Sequence, residues 1–390
     1  MLKLLIIKLI AFGLCAGTQG VTIVKTSQVR RVERSINRET GAVDRRPVPT
    51  DEGFKFQLGI ISDLDQRSKT KDSQGQDEWV SYLLTGNLYL KYKEHGSKDA
   101  NITIQWEEGK PAGLRSGLNV AGRGMELSEL IVYRNEILAC DDRSGVVYRI
   151  LPSFGEKDKV QWKVVPWVIL AGGDGNSTKA FKCEWATEKD GNLWIGSHGT
   201  SEDLSYVKEI NPSGVVTHHD WRDHYRKMAK AVGVTPPGYV VHEAAGWCDS
   251  DKKWIFIPRK ISFEGFVYEK DFYKASNKII LANEDFSDIQ LHGLAGEVMP
   301  SHGVSSFKWL PLAGTDNHYI VALKAEEIGN EQATFILAFD MEGHTLFPET
   351  KIEDNKYEGL QYADICEYCN SRRTFNLIIY NAYLMFDKGP

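Results

Sequence analysis

The sequence predicts an all-β fold, and more closely a five-bladed β-propeller. Short apolar runs rich in β-type residues follow one another along the chain, and turn residues separate them. Only one segment, from His219 to Val232, has a helical pattern, and Pro236-Pro237-Gly238 closes it. Many short strands with intervening turns are typical of a sandwich, barrel or propeller. The clearest runs lie at residues 56–61, 86–90, 145–150, 164–170, 191–196, 253–258 and 319–323.

A weak repeat favours the propeller among these architectures. An oxygen-bearing residue, an apolar run, a turn with Asp or Gly and a second apolar run recur about 53 to 62 residues apart. Residues 54–365 then divide into five large blades. If each recurring residue opens the innermost strand of a blade, all of them point toward one central channel. These residues are Ser128, Glu184, Glu243, Ser305 and Glu358.

The start of the chain is typical of a secretory signal peptide. Residues 1–20 combine Lys3, an apolar run broken only by Lys8, and small residues at the end. An uncleaved signal anchor is the alternative, but the segment is short for a membrane span. Asn101 and Asn176 each begin a glycosylation sequon, which fits a secreted, extracellular glycoprotein.

Two flanking segments lack the pattern of the propeller. Residues 21–53 are polar and without a sustained hydrophobic period, so we expect an extended or disordered lead-in. Residues 366–390 form a C-terminal extension of unknown role. Its apolar run is too short for a membrane span. We therefore expect no stable membrane span. For the oligomeric state, we expect a monomer or a dimer.

Composition and net charge limit the kinds of partner that the chain is expected to bind. The 390 residues are 42% hydrophobic and 26% charged, which is sufficient for a large packed core. The 47 Lys and Arg residues against 53 Asp and Glu residues give a net charge of −6. No basic tract with interleaved aromatic residues interrupts the chain, so nucleic acid is not an expected partner. Cations are more natural ligands.

Charged residues concentrate around two glycines, and this pattern predicts a ligand-binding site. In Gly122-Arg123-Gly124 the backbone can approach a ligand closely while the guanidinium forks toward a phosphate or carboxylate. Glu126, Asp142 and Arg143 lie beside strand-like runs, where charges are costly to bury unless a cation or an ionic substrate uses them. Asp142 and Arg143 could equally form a local ion pair that holds a turn.

Asp63 and Asp65 form a second acidic feature. Their spacing places both side chains on one face of an extended segment. There they could position a nucleophilic water, or they could simply form a turn at a strand end. The residues alone do not decide between these interpretations.

A series of motifs in the same order resembles the calcium-activated nucleotidase family, which includes the salivary apyrases of blood-feeding arthropods. The resemblance implies a propeller with Ca²⁺ in the central channel, which hydrolyses nucleoside di- and triphosphates such as ADP, ATP, UDP and GDP. It also implies removal of extracellular ADP, which blocks platelet aggregation. The motifs lie at residues 60–65, 122–128, 141–148, 166–170, 172–175, 181–185, 236–239, 242–243, 302–308, 348–352 and 356–359.

The resemblance implies a role for each candidate residue. Carried over by position, the calcium ligands are Ser128, Glu184, Glu243, Ser305 and Glu358, and the family uses main-chain carbonyls at the two serine positions. Calcium accepts six to eight oxygens in irregular geometry, so this donor set suits it. Beside these ligands, the charged residues described above are the candidates for catalysis and substrate binding: Asp63, Asp65, Arg123, Glu126 and Asp142 for catalysis, and Arg123 and Arg143 for substrate binding.

The implied reaction has two rivals. Arg123 would orient the phosphate and a nearby carboxylate the attacking water, while the metal neutralises developing charge. No P-loop motif is present in the sequence. The rivals are a propeller esterase or lactonase with a central calcium, and a secreted binding propeller without catalysis.

The cysteines leave their pairing open. Beyond the signal segment they are odd in number, so at least one thiol is free or intermolecular. Cys366 and Cys369 suit a local disulfide or two reduced thiols. Cys183 directly precedes Glu184, so a disulfide there would bear on the metal site.

Overall fold

The computed structural model describes residues 47–93, 100–154, 160–293, 298–310, 312 and 319–362. By its contacts the chain divides into Met1–Gly41 and Ala42–Pro390, and the described residues all belong to the second unit. The predicted signal peptide (1–20), the predicted extension (366–390) and most of the predicted lead-in lie outside the described residues.

The chain enters the fold through a seven-stranded antiparallel sheet. The long β4 lies at its centre and pairs with four other strands, β2, β3, β5 and β6. The strands are β1 (Val48–Thr50), β2 (Gly53–Ser62), β3 (Lys69–Lys71), β4 (Asp77–Tyr92), β5 (Ala100–Trp106), β6 (Ala112–Ser116) and, from the other end of the chain, β25 (Tyr357–Tyr362).

Four antiparallel sheets of four strands follow, each with the form of a propeller blade. The first contains β7 (Leu127–Tyr133), β8 (Glu136–Asp141), β9 (Val146–Phe154) and β10 (Val160–Ile169). The second contains β11 (Trp185–Lys189), β12 (Asn192–Gly196), β13 (Tyr206–Ile210) and β14 (Val216–Asp220). The third contains β16 (Ala244–Cys248), β17 (Lys253–Ile257), β19 (Lys278–Asn283) and β20 (Ile289–Gly293). The fourth contains β21 (His302–Trp309), β22 (Tyr319–Ile328), β23 (Glu331–Asp340) and β24 (Thr345–Glu353).

Smaller elements connect these sheets. A two-stranded ribbon of β15 (Tyr239–Val241) and β18 (Lys260–Ser262) flanks the third four-stranded sheet. Helix α1 (Arg222–Ala231) confirms the predicted helix, although it begins later because residues 216–220 complete β14. A four-residue helix, α2 (Tyr268–Asp271), was not predicted.

Five strands contact one another in a closed ring: β25 with β7, β7 with β11, β11 with β16, β16 with β21, and β21 with β25. All residues of β7, β16 and β25 are buried, as expected for strands packed on both faces. The first strands of the four-stranded sheets therefore line the interior together with the last described strand. This ring positions the candidate site.

The predicted all-β propeller class is confirmed, but the predicted count of five like blades is not. Among the described residues, four sheets have the four-stranded form of a blade, one is the two-stranded ribbon of β15 and β18, and the last has seven strands. The reason is the 16-residue β4, which is long enough to pair with separate partners along its length. At the end of the predicted lead-in, Val48–Thr50 form β1, which pairs with β2 within the sheet. Each predicted strand run coincides with a strand, although four of the runs extend one residue beyond it, at Gly145, Leu170, Gly191 and Pro258.

Candidate active site

Register breaks position three of the five predicted metal ligands. Strand pairing skips Ser128 in β7, Ser305 in β21 and Glu358 in β25. A β-bulge leaves its extra residue unpaired and re-aims that side chain, and bulges are common beside active sites. The other two, Glu184 and Glu243, directly precede β11 and β16. All five thus lie on ring strands or immediately before them.

Two glycines permit the close packing that this arrangement requires. A Cβ on Gly359 would lie 2.5 Å from the backbone nitrogen of Leu130, so only glycine lets β25 approach β7 beside Glu358. A Cβ on Gly196 would lie 2.0 Å from the Trp185 ring. The Gly196 carbonyl accepts a 2.9 Å hydrogen bond from the Glu184 N–H, which fixes the backbone at that carboxylate.

His198 joins two of the carboxylates. Its Nε2 lies 2.8 Å from Glu184 Oε1 and 3.2 Å from Glu243 Oε1. Burial by itself would lower the pKa of His198, but the two carboxylates outweigh burial and raise its pKa to about 9. The imidazole is therefore a cation at neutral pH in the metal-free protein.

Arg259 joins Glu243 to the ligand at the far end of the chain. The buried guanidinium forms an ion pair with Glu243, and its Nη1 lies 2.9 Å from Glu358 Oε1. Its Nη2 lies 2.5 Å from Glu327 Oε2. Together His198 and Arg259 connect Glu184, Glu243 and Glu358 into one buried network.

Lys356 connects this network to the two aspartates. Its Nζ lies 2.9 Å from Asp63 Oδ2, 3.0 Å from Asp65 Oδ2, and 3.5 Å from Glu358 Oε1. Asp63 Oδ1 also accepts a 2.7 Å hydrogen bond from the Asp65 N–H. Asp65 adopts a left-handed backbone with φ of 49°, which is uncommon outside glycine and clusters at functional sites. The two aspartates therefore belong to the charged cluster and also form a turn.

Arg123 lies at the opposite edge of the cluster and is partly exposed. Its Nε donates to Glu126 Oε1 at 2.7 Å, a second nitrogen donates to Glu126 Oε2, and Nη2 lies 3.2 Å from Asp65 Oδ1. Burial raises the pKa of Glu126 to about 7, although Arg123 opposes the increase. This edge therefore combines an accessible cation with a carboxyl group that titrates near neutral pH.

Asp142 and Glu184 share the cation of Lys182. The ammonium forms an ion pair with Asp142 Oδ2 and lies 2.5 Å from Glu184 Oε1. Burial, reinforced by the charges of Asp63 and Glu184, raises the pKa of Asp142 well above its ordinary value against the opposing Lys182. Asp142 thus lies close to Asp63 and is also joined to Glu184 of the buried network through Lys182.

Oxygen atoms without partners allow a test of whether calcium fits here. Within the described part of the chain, Ser128 Oγ, Ser305 Oγ and Asp142 Oδ1 are buried and have no hydrogen-bond partner. Buried polar atoms are rarely left unsatisfied, so each indicates a missing partner. The predicted ligand set offers only oxygen donors, which Ca²⁺ prefers. On these two grounds the residues fit the ion.

The charge balance points the same way. The acidic residues exceed the basic residues, so a divalent cation would neutralise charge rather than add to it. The carboxylates are Asp63, Asp65, Glu126, Asp142, Glu184, Glu243, Glu327 and Glu358. The cations that contact them are Arg123, Lys182, His198, Arg259 and Lys356.

One predicted site residue lies apart from this cluster. Arg143 is exposed, and no ion pair within the described residues joins its side chain to the carboxylates. The alternative local pair between Asp142 and Arg143 is wrong, because Asp142 pairs with Lys182. Asp141 accepts backbone N–H groups from Met125 and Arg143 at 2.8 and 2.9 Å, so it holds the turn.

The cations His198, Arg259, Lys356 and Lys182 were missed by the sequence analysis. Most of their ion pairs join segments that are remote in sequence, so local spacing reveals little of this network. A weak signal was available for two of them: Lys182 stands two residues before Glu184, and Lys356 two residues before Glu358.

A disulfide ties two parts of the site together. Cys140 and Cys183 are bonded, with Cα atoms 6.1 Å apart. Cys140 lies two residues before Asp142, and Cys183 directly precedes Glu184. The bridge therefore supports the two carboxylates that share Lys182. Cys248 is buried and free, whereas Cys366 and Cys369 lie outside the described residues.

Known proteins are similar to this chain over most of its length. The family model described as Apyrase matches residues 64–363. The soluble calcium-activated nucleotidase 1 of Rattus norvegicus is 39% identical over 81% of this chain and 76% of its own length. An apyrase of Cimex lectularius is 39% identical over 83% of this chain and 88% of its own length. An apyrase of Caenorhabditis elegans is 32% identical over 80% of this chain and 86% of its own length. Among the described residues, no helix has the length and apolarity needed to cross a membrane.

Proposed function

The chain belongs to the apyrase family, and from this premise we propose that it is a Ca²⁺-dependent apyrase. It hydrolyses the terminal phosphoanhydride bond of nucleoside di- and triphosphates, including ADP, ATP, UDP and GDP. The observation that carries the proposal is the continuous charged cluster from the partly exposed Arg123 to the buried Glu184, Glu243 and Glu358.

The proposed metal centre is supported by the oxygen donors of the ring strands and by their unpartnered atoms. The residues that would hold Ca²⁺ are Ser128, Glu184, Glu243, Ser305 and Glu358. When bound, the ion would polarise phosphoryl oxygens and neutralise the charge that develops on them. His198 and Arg259 would hold the carboxylates in place, as partners of ligating carboxylates commonly do.

The remaining residues would bind the phosphate and the attacking water. Arg123 would turn its accessible nitrogens toward the terminal phosphate, because a guanidinium matches two phosphate oxygens. Lys356 would keep Asp63 fixed, so that its carboxylate can orient a water molecule for in-line attack. Glu126, with a pKa of about 7, would accept or release a proton close to Arg123. Arg143 would contact substrate only from the rim.

We extend the proposal to the architecture and count the seven-stranded sheet as a fifth blade. The contacts of β25 with both β7 and β21 support this, since they close the ring. In this interpretation β25 is the innermost strand of that blade and β2 and β4 follow outward. Glu358 then holds the same position in its blade as the other four proposed ligands hold in theirs.

We also propose that the protein is secreted and acts on extracellular nucleotides, including the ADP on which platelet aggregation depends. Three features support this. The N-terminal residues have the pattern of a signal peptide, the Cys140–Cys183 bridge suits an oxidising compartment, and Asn101 and Asn176 are exposed in their sequons. Secretion from cultured cells, with a mobility shift after removal of N-glycans, tests this point.

Phosphate release from a nucleotide panel tests the activity. The purified protein should release inorganic phosphate from ADP, ATP, UDP and GDP in the presence of Ca²⁺, and little after chelation. Hydrolysis of a lactone or an aryl ester without hydrolysis of any nucleotide would favour the esterase alternative. Nucleotide binding without release of phosphate would favour a binding propeller. Either result would contradict the proposal.

A further inference from the structure

Exposed aromatic side chains concentrate in one segment between β18 and β19, which we call the aromatic loop (residues 263–273). Phe263 is 67% exposed, Phe266 65%, Tyr268 60% and Tyr273 53%. Single exposed apolar residues are ordinary, but several large ones in one short segment make part of that segment a candidate binding surface. The charged cluster described above does not account for these side chains.

The aromatic loop is held firmly at its base. Asp271 receives the Lys260 ammonium at 2.5 Å and a hydrogen bond from the Tyr239 hydroxyl. The Ile261 N–H donates to the Lys274 carbonyl at 2.9 Å. A loop fixed in this way presents its rings without a large ordering cost on binding.

Phe272 connects the aromatic loop to the charged cluster. Its half-buried ring lines one cavity together with Arg259 and Glu327. The Tyr268 ring lies edge-on to the Phe272 ring, with centroids 5.0 Å apart. Phe272 is therefore in contact with an exposed aromatic side chain and also lines the cavity that the buried Arg259 borders.

Ion pairs connect Arg123 to the cavity that Phe272 lines. From Arg123 they run through Asp65 to Lys356, then through Glu327 to Arg259. Arg123 is the partly exposed cation of this series, and Arg259 lines the cavity together with Phe272. A ligand that carries both a phosphate and a flat ring has a group for each of these contacts.

We propose that Phe272 and Tyr268 form a nucleobase subsite, against which the base of the substrate stacks while its phosphates lie toward Arg123. The inference rests on the proposed hydrolysis of nucleotides at the charged cluster. Aromatic side chains stack on the face of any base, so this subsite would favour nucleotides over phosphate chains without a base but would discriminate weakly among bases.

Two variants and two ligands, ADP and inorganic pyrophosphate, test the subsite. Tyr268→Ser removes an exposed ring, and Phe272→Ser removes the ring that lines the cavity. We expect the KM for ADP to rise about tenfold in each, with kcat within about twofold of the wild type. The Ki of inorganic pyrophosphate as a competitive inhibitor of ADP hydrolysis should not change, because pyrophosphate has no base. Phe263→Ser, in the same loop but beside Gly233, is the matched control and should leave both the KM for ADP and the Ki of pyrophosphate unchanged.

Binding measurements separate this inference from the proposed function. Calorimetric titration of the calcium-loaded protein with non-hydrolysable methylene analogues of ADP and of pyrophosphate should show tighter binding of the ADP analogue, and Tyr268→Ser should remove the difference. If that result is obtained but no nucleotide is hydrolysed, the proposed function fails and the subsite stands. Equal binding of the ADP and pyrophosphate analogues would overturn the subsite. A parallel loss of binding of both analogues in Tyr268→Ser would overturn it as well. Vesicle binding or dimerisation that is lost in Tyr268→Ser, with ADP binding unchanged, would also overturn it.

Discussion

The Lys356 ammonium lies 2.9 Å from the Asp63 carboxylate, across a sequence separation of 293 residues. Asp63 follows β2 and Lys356 precedes β25, and the Asp63 N–H also donates to the Lys356 carbonyl at 3.0 Å. One side-chain contact and one backbone contact therefore join the two ends of the fold at the candidate active site.

Lys356→Met should destabilise the protein by about 3–5 kcal/mol, because it leaves buried Asp63 without its cation. Urea unfolding measures the change. The matched control is Lys351→Met, whose half-exposed ammonium pairs with the exposed Asp354, and it should leave the stability nearly unchanged because exposed ion pairs contribute little. Similar losses in both variants would contradict the importance of the buried pair.

Glu243→Gln and Asp63→Asn should separate metal binding from turnover. Glu243→Gln removes a proposed calcium ligand, so calcium affinity should fall about tenfold or more. Asp63→Asn should lower kcat about 100-fold or more while calcium affinity is largely kept. Calcium titration of hydrolysis, with direct calcium binding, measures both quantities. The exposed Glu284→Gln serves as control, and an equal shift of the calcium titration in both site variants would refute the division of roles.

Calcium, and not magnesium, should restore activity after chelation. Mg²⁺ requires near-octahedral ligands at about 2.0–2.1 Å, and donors from five separate ring strands cannot all approach that closely. Calcium at about 100 times its Kd should also stabilise the folded protein by about 2.7 kcal/mol. Phosphate release from ADP and thermal unfolding, each after separate addition of the ions, provide the test. Equal restoration by Mg²⁺ would mean that the catalytic metal arrives with the nucleotide.

His198 should make the stability of the calcium-free protein depend on pH. Its folded pKa of about 9 lies above the ordinary value of 6.5, so its stabilising contribution is complete below about pH 6.5 and is lost as the pH rises through about 9. The shift corresponds to about 3 kcal/mol. The difference in unfolding free energy between wild type and His198→Gln, measured in chelator, should therefore shrink from pH 6 to pH 9.5. A difference that is independent of pH would show that His198 is not charged between Glu184 and Glu243.

Removal of the Cys140–Cys183 bridge should weaken both stability and the metal site. The closed loop of 43 residues predicts a loss of about 2–4 kcal/mol for the double variant Cys140→Ala, Cys183→Ala. Calcium affinity should fall as well, because Asp142 and Glu184 lose a shared support. Urea unfolding and calcium titration measure these effects. Cys248→Ser, a change at the free thiol, should leave calcium affinity unchanged, and a double variant with wild-type affinity would refute the link.

The sequence predicted the ring strands better than the chemistry between them. Periodic apolar runs depend on local burial, so the repeat located Ser128, Glu184 and Glu358 at strand openings. The register breaks at Ser128 and Glu358 depend on how two strands pair and leave no local pattern. Arg259 and His198 were missed for a related reason, since each becomes significant only when neighbouring sheets meet. The seven-stranded sheet was missed because the length of β4 adds partners that a regular repeat does not contain.

The pairing of β2 with β25 has a consequence for the protein during its synthesis. The last described strand carries Glu358, and Lys356 directly adjoins it, so a chain that stops before residue 356 contains most of the propeller but lacks two residues of the proposed catalytic centre. Such a truncated chain would therefore be inert toward nucleotides. Catalytic competence would begin only after this strand has been synthesised and has entered the ring.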